Sequence, residues 1–268
     1  MPYAKAGDLN LYYEMAGEGP RLLFISGTGG DLRNPLGPFQ SPLARRFSLL
    51  SYDQRGLGQS DKPDVAYSMA DYADDAARLL DAVGWDRCHV LGYSFGGMVA
   101  QELAIRHPDR LQRLVLCVSA PGGAGGASYP LHELAGLGPD DKARASIRLG
   151  DLRRTSEWEA AHATEMASFI DQAKAAENAF SHEPDWAMGR RRQLEARAGH
   201  DTFARLDQIT APTLICAGRY DGIAPVAAQE AMTRRIPGAE LRVFDGGHLF
   251  VMQDRSAYPA ITEWLTRP

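Results

Sequence analysis

The stretch Cys88-His89-Val90-Leu91-Gly92-Tyr93-Ser94-Phe95-Gly96-Gly97-Met98 decides the fold. Residues 88–91 read as a short buried strand. A helical pattern runs over 98–106 and stops before Pro108. Between them stands a G-x-S-x-G pentapeptide, 92–96. A strand-to-helix turn this tight strains the backbone of its central residue, and the flanking glycines leave room for it. Ser94 is thereby presented above a sheet, at a helix N-terminus where N–H groups and the dipole favour negative charge. The competing reading is a phosphate-binding βα turn. Against it, no G-x-G-x-x-G follows the first strand in a βα context, and the chain has no Walker lysine.

The same rhythm extends in both directions. Leu9, Leu11, Tyr13 and Met15 alternate with polar neighbours, as in a half-buried strand after the turn at Gly7-Asp8. Apolar runs at 22–25, 47–52, 111–118, 213–217 and 240–244 read as further strands. A helix follows Ser68 or Asp71 and stops at Gly84, and a last helix carries Ile261, Trp264 and Leu265. Short apolar strands alternating with helices predict an α/β fold with a mostly parallel central sheet and helices on both faces. The rhythm breaks at the glycine-rich run 120–126, which reads as a linker. Up to Gly199 the chain is then polar and helical in pattern. The expected organisation is a core of residues 1–121 and 205–268 with a helical insertion, 122–204.

Composition narrows the function. The chain has 268 residues, 44% of them hydrophobic, and a net charge of −5, which suits a globular protein and argues against a grip on nucleic acid. No apolar run approaches the roughly 18 residues of a membrane helix. The N-terminus lacks a secretory apolar region and there is no N-x-S/T site, so a cytoplasmic location is expected. The three cysteines stand far apart in apolar runs, as buried free thiols would.

A serine hydroxyl is a weak nucleophile and needs a base oriented by a carboxylate. Of seven histidines, His248 follows a strand directly, after Asp245-Gly246-Gly247. Asp221 likewise follows a strand, in Ala217-Gly218-Arg219-Tyr220-Asp221. Both fall at the C-terminal sheet edge, where such folds keep their sites. The order Ser94, Asp221, His248 is the order this fold uses.

With the glycine-rich turn 26–30, the segment 53–60 beginning Asp53-Gln54-Arg55-Gly56, and Gly246-Gly247-His248, the whole chain resembles the α/β-hydrolase superfamily. It is similar to small lid-bearing carboxylesterases and lactonases such as 3-oxoadipate enol-lactonase-like proteins. The resemblance implies a Ser94–His248–Asp221 triad, no metal or organic cofactor, and a small-molecule ester or lactone substrate. It implies an oxyanion hole from the backbone N–H groups of Phe95 and Thr28, with Gly27 as the neighbouring choice. Such families usually carry His-Gly where this chain has Ser26-Gly27. The insertion corresponds to a helical lid. Arg33 is a candidate for a substrate carboxylate, as is one of Arg190, Arg191 and Arg192. Trp158 and Trp186, with Met166, Phe169 and Met188, are candidates for an acyl pocket. Carbon–carbon bond hydrolysis and cofactor-free perhydrolysis are the alternatives on this fold, and ligand binding without turnover is the non-enzymatic one.

Overall fold

The computed structural model describes residues 2–268. Along the chain run β1 (Tyr3–Ala6), β2 (Leu9–Ala16), β3 (Arg21–Ile25), β4 (Ser48–Tyr52), α1 (Met69–Ala82), β5 (Cys88–Tyr93), α2 (Phe95–Arg106) and β6 (Leu111–Cys117). The helices α3 (Pro139–Gly150), α4 (Ser156–Ala161), α5 (Ala163–Asn178) and α6 (Trp186–Ala198) follow. The chain then closes with β7 (Thr213–Gly218), α7 (Val226–Arg235), β8 (Glu240–Phe244), α8 (Phe250–Gln253) and α9 (Ala257–Leu265).

The strands form one sheet in the order β1-β2-β4-β3-β5-β6-β7-β8. The β1–β2 and β2–β4 pairs are antiparallel and every later pair is parallel. The strand runs are continuously apolar because both faces are covered. Leu23, Leu50, Val90, Leu114 and Ile215 pack towards α1 and α2. Their chain neighbours Leu22, Leu49, Leu91, Val115 and Leu214 point the other way, onto α9. One residue of offset reverses the face, so each strand supplies two cores.

Three features differ from the sequence reading. β1 is too short to leave a pattern, yet it pairs along its length with β2. The helix after Ser94 starts at Phe95 rather than Met98. Gly96 and Gly97 look like turn residues but are helical, placed where neighbouring chain comes too close for a side chain. The glycine-rich run 120–126 is packed rather than loose: Gly122 bridges Asp201, bringing the two ends of the intervening segment together. At α1, Ser68 and Asp71 form a capping box, Ser68 as the cap and Asp71 three residues on. The three cysteines are buried and free, and no helix among the described residues is long and apolar enough to cross a membrane.

His200, just beyond α6, is buried, and its Nε2–H donates to the Ala120 carbonyl at 3.1 Å. Burial pushes its pKa down to about 4. An unfolded histidine accepts a proton near pH 6.5, which the folded one refuses until about pH 4. Its contribution to stability is therefore complete above pH 6.5 and is lost as pH falls through about 4, a difference of about 3 kcal/mol. Asp53 works in the opposite direction. Burial raises its pKa to about 6, so it favours the fold at acid pH and ceases to as pH rises through about 6. The two act in opposite directions in the native protein, so the test compares proteins. Between pH 7 and pH 4, His200→Gln is expected to gain about 3 kcal/mol on the wild type in urea unfolding. A stability difference independent of pH would refute this account of His200.

Candidate active site

Ser94 follows β5 and stands at the N-cap position of α2 with φ 54° and ψ −114°. That conformation is costly for a residue with a Cβ, by roughly 1–3 kcal/mol, and persists only where its surroundings enforce it. Here the Ser94 N–H is bound by the Cys117 carbonyl at 2.8 Å, and its carbonyl accepts from the Gly97 N–H at 2.9 Å. The glycines allow the turn to sit against its neighbours. A Cβ on Gly92 would lie 2.3 Å from the Gly96 oxygen, and one on Gly96 2.0 Å from the Ile25 oxygen. Backbone cannot yield as a side-chain tip can. Gly96→Ala is therefore expected to cost at least about 3 kcal/mol in urea unfolding, the upper part of the overpacking range. A loss below about 1 kcal/mol would mean that β3 and α2 can separate freely.

His248 follows β8. Its Nε2 lies 2.9 Å from Ser94 Oγ and its Nδ1 2.8 Å from Asp221 Oδ2. A carboxylate only accepts, so Nδ1 carries the proton and Nε2 offers its lone pair to the serine hydroxyl. The imidazole is held from both sides of its backbone. The backbone N–H of His248 donates to the Gly150 carbonyl at 2.6 Å, and the backbone carbonyl of His248 accepts from the Tyr93 hydroxyl at 2.5 Å. Gln253 adds a clamp, accepting from the Gly247 N–H at 2.7 Å and donating to Asp151 Oδ2 at 2.9 Å. The end of α3 thus helps to set the height of His248 over Ser94. Asp221 is 3% exposed, and its other oxygen accepts from the N–H groups of Ile223 and Ala224 at 2.8 and 3.0 Å. Both carboxylate oxygens are thereby committed.

The loop 26–30 lies against this group: a Cβ on Gly27 would lie 3.4 Å from Ser94 Cβ. Two of its N–H groups are engaged within the protein. Gly29 donates to Gln193 Oε1 at 2.8 Å and Gly30 to the Gly27 carbonyl at 3.2 Å. Neither is free for a substrate oxygen, and Thr28 and Gly27 stay candidate donors beside Phe95 at the start of α2. A cavity of about 340 Å³ opens on one side of the loop, lined by Thr28, Asn34, Lys142, Arg190 and Gln193 among others. One of about 230 Å³ opens on the other, bounded by Gly27, Tyr93, Leu249 and Tyr258.

Several candidate substrate contacts fall elsewhere. Arg33 is neutralised by Asp31 at 2.7 Å and Glu183 at 2.5 Å, and its guanidinium lies 3.6 Å from the centre of the Phe180 ring. Its charge is already satisfied by two carboxylates. Trp158 stacks on His162 and packs with Met166 and Ile170, so it joins helix to helix. Trp186 lies under Arg190, 4.8 Å from ring centre to guanidinium. Arg191 is exposed, and Arg192 pairs with Asp64 and Glu195. Arg190 alone of the three borders the larger cavity. Gln193, Tyr93 and Arg197 have placements that the sequence left unread. Nothing in a helical glutamine signals that it will meet a loop 164 residues away. Among the described residues, no cluster of three or more His, Cys, Asp or Glu is arranged to share a metal ion.

Comparison with known proteins agrees with this fold. The family model of the alpha/beta hydrolase fold matches residues 20–254. The chain is 31% identical to the "Putative carbamate hydrolase RutD" of Variovorax paradoxus, over 96% of each chain. It is 30% identical to a poly(3-hydroxyalkanoate) depolymerase of Ectopseudomonas oleovorans, over 91% of this chain and 83% of that one. The crystal structure of the enol-lactonase from Burkholderia xenovorans LB400 superposes with a TM-score of 0.79 at 25% identity, covering 99% of this chain and all of the other. A parallel sheet carrying a strained serine between β5 and α2, a match over most of the length and relatives aligned almost end to end lead to one assignment: the chain is a member of the alpha/beta hydrolase family.

Proposed function

We propose that this protein is a serine hydrolase that cleaves a carboxylic ester or lactone. The observation that carries the reading is the hydrogen-bonded line Ser94 Oγ–His248–Asp221, with distances of 2.9 and 2.8 Å. His248 takes the serine proton as Ser94 attacks the carbonyl. Asp221 keeps the imidazole in the required tautomer and stabilises the imidazolium that forms. The N–H groups of Phe95 and Thr28 receive the oxyanion, each worth about 3 kcal/mol by analogy with other hydrolases. His248 then protonates the departing alcohol, and water attacks the acyl-enzyme by the same route in reverse. The residues 122–204 act as the lid over this centre, with the cavity beside Thr28 holding part of the substrate.

A carbamate is the second substrate class. It presents the same carbonyl to the same nucleophile, and the name of the Variovorax relative points to it. The test is hydrolysis of nitrophenyl esters of graded chain length, lactones with and without a carboxylate, a phenyl carbamate and one dienone with a cleavable carbon–carbon bond. Wild type and Ser94→Ala are assayed side by side. Turnover of esters or lactones that disappears in the variant is the expected result. Turnover of the carbamate alone would favour the second class. Turnover of the dienone alone, or activity that survives in Ser94→Ala, would overturn the reading.

A further inference from the structure

Arg197 lies near the end of α6 and is 5% exposed. One of its terminal nitrogens, Nη1, donates to the Tyr129 carbonyl at 2.7 Å. The other two, Nε and Nη2, are buried without a partner. They form the edge of a guanidinium that grips a carboxylate with two parallel hydrogen bonds. Among the described residues, no Asp or Glu is paired with Arg197. Burial is the one influence on its pKa, pulling it down to about 10. A buried cation with no anion beside it destabilises a fold. Other arginines of this chain are paired: Arg55 with Asp75, Arg205 with Glu102, Arg33 with Asp31 and Glu183.

Arg197 borders a cavity of about 100 Å³ with Met98, Gly122, Ser128, His132 and His200. His200, which also borders it, carries a third buried atom without a partner, Nδ1. Because the Nε2–H of His200 donates to Ala120, Nδ1 is an acceptor. Two residues that border the cavity therefore carry, between them, an unused double donor and an unused acceptor. Met98 stands one helical turn beyond Ser94. Tyr129, whose carbonyl holds Arg197, donates its N–H to the Ile223 carbonyl at 2.8 Å, and the Ile223 N–H is one of the two bound by Asp221. The site is thus tied through hydrogen bonds to the turn that carries Asp221.

We infer that this cavity binds a small hydroxycarboxylate, its carboxylate on the Nε–Nη2 edge of Arg197 and its hydroxyl donating to His200 Nδ1. The site does not depend on the chemistry of Ser94. Its occupant is either the acid end of a substrate or product, or a separate small acid.

The test uses the whole protein in wild-type, Arg197→Met and Arg197→Lys forms, each also carrying Ser94→Ala so that turnover plays no part. Binding of 3-hydroxybutyrate and of butyrate is measured by isothermal titration and by the shift in Tm. Wild type is expected to bind 3-hydroxybutyrate, and butyrate several-fold more weakly for lack of the hydroxyl. Arg197→Lys keeps a donor for Tyr129 but loses the paired edge, and is expected to bind at least about tenfold more weakly. Arg197→Met removes an unpaired buried charge, so its Tm without ligand is expected to equal or exceed that of wild type. With Ser94 restored, Arg197→Met separates the two sources. A raised KM confined to carboxylate-bearing esters identifies the substrate's own acid end. Unchanged KM values, with 3-hydroxybutyrate altering turnover of a neutral ester in wild type only, identify a separate acid. Absence of binding to wild type would overturn the inference. So would equal affinity in the Arg197 variants, equal affinity for the two acids, or a lower Tm in both variants with binding intact.

Discussion

Ser94→Ala is expected to lower kcat by about 10⁶-fold, the loss seen when the nucleophile of a serine triad is removed. The size follows from what the hydroxyl does. In the proposed mechanism it is the atom that bonds to the substrate, and His248 approaches it at 2.9 Å. Without it neither the acyl-enzyme nor the proton transfer exists, and the oxyanion donors retain a residual acceleration of about 10³–10⁴ over water. The fold is expected to be unaffected. The Ser94 side chain has one hydrogen-bond partner, the backbone bonds to Cys117 and Gly97 do not use it, and alanine meets the same strain at φ 54° that serine already tolerates. The measurement is kcat on the best ester of the panel, with Tm as the control. A variant that folds like wild type and keeps more than about a tenth of its kcat would eliminate Ser94 as nucleophile.

Asp221→Asn is expected to lower kcat by about 10⁴-fold, with KM little changed. Asparagine is nearly the same shape, so the loss measures charge and tautomer rather than packing. It has two orientations here and both conflict with the structure. With its NH₂ towards His248 it donates to Nδ1, forces the proton onto Nε2 and leaves Ser94 without a base. With its oxygen towards His248, the NH₂ faces the N–H groups of Ile223 and Ala224, donor against donor. In the wild type a carboxylate satisfies all three donors at once, buried at 3% exposure. The second orientation leaves buried N–H groups unbonded, and a lowered Tm is expected to accompany the loss of rate. A drop of tenfold or less in kcat would mean that Asp221 serves to hold its loop and not to orient the base.

Legibility in the sequence followed the range of the interactions concerned. The strands at 22–25, 88–91 and 213–217 were readable because burial on two faces demands an unbroken apolar run. The elbow was readable because its glycines, its serine and the flanking strand and helix are contiguous. Asp221 and His248 stand out in the sequence because each follows a strand, and parallel strands deliver their C-terminal ends to one edge. The sequence pattern places the start of α2 three residues late, because close approach between α2 and β3 demands glycine as firmly as a turn does. Arg33 and Trp158 have chemistry that suits a pocket. Their partners Glu183 and Met166 lie in segments whose position no local pattern reveals.

What the sequence determined by itself was therefore whatever neighbours along the chain decide: a parallel α/β core, an elbow serine, and an acid and a histidine at strand ends. What only the tertiary structure decided was which polar atoms meet. Gln193 takes the Gly29 N–H, Tyr93 and Gly150 set the height of His248, and Arg197 keeps an unpaired edge beside His200. The physical reason is that a hydrogen bond reaches about 3 Å and depends on direction. Whether two groups distant in sequence satisfy it depends on how whole helices pack, to within an ångström, and no stretch of sequence encodes that distance locally.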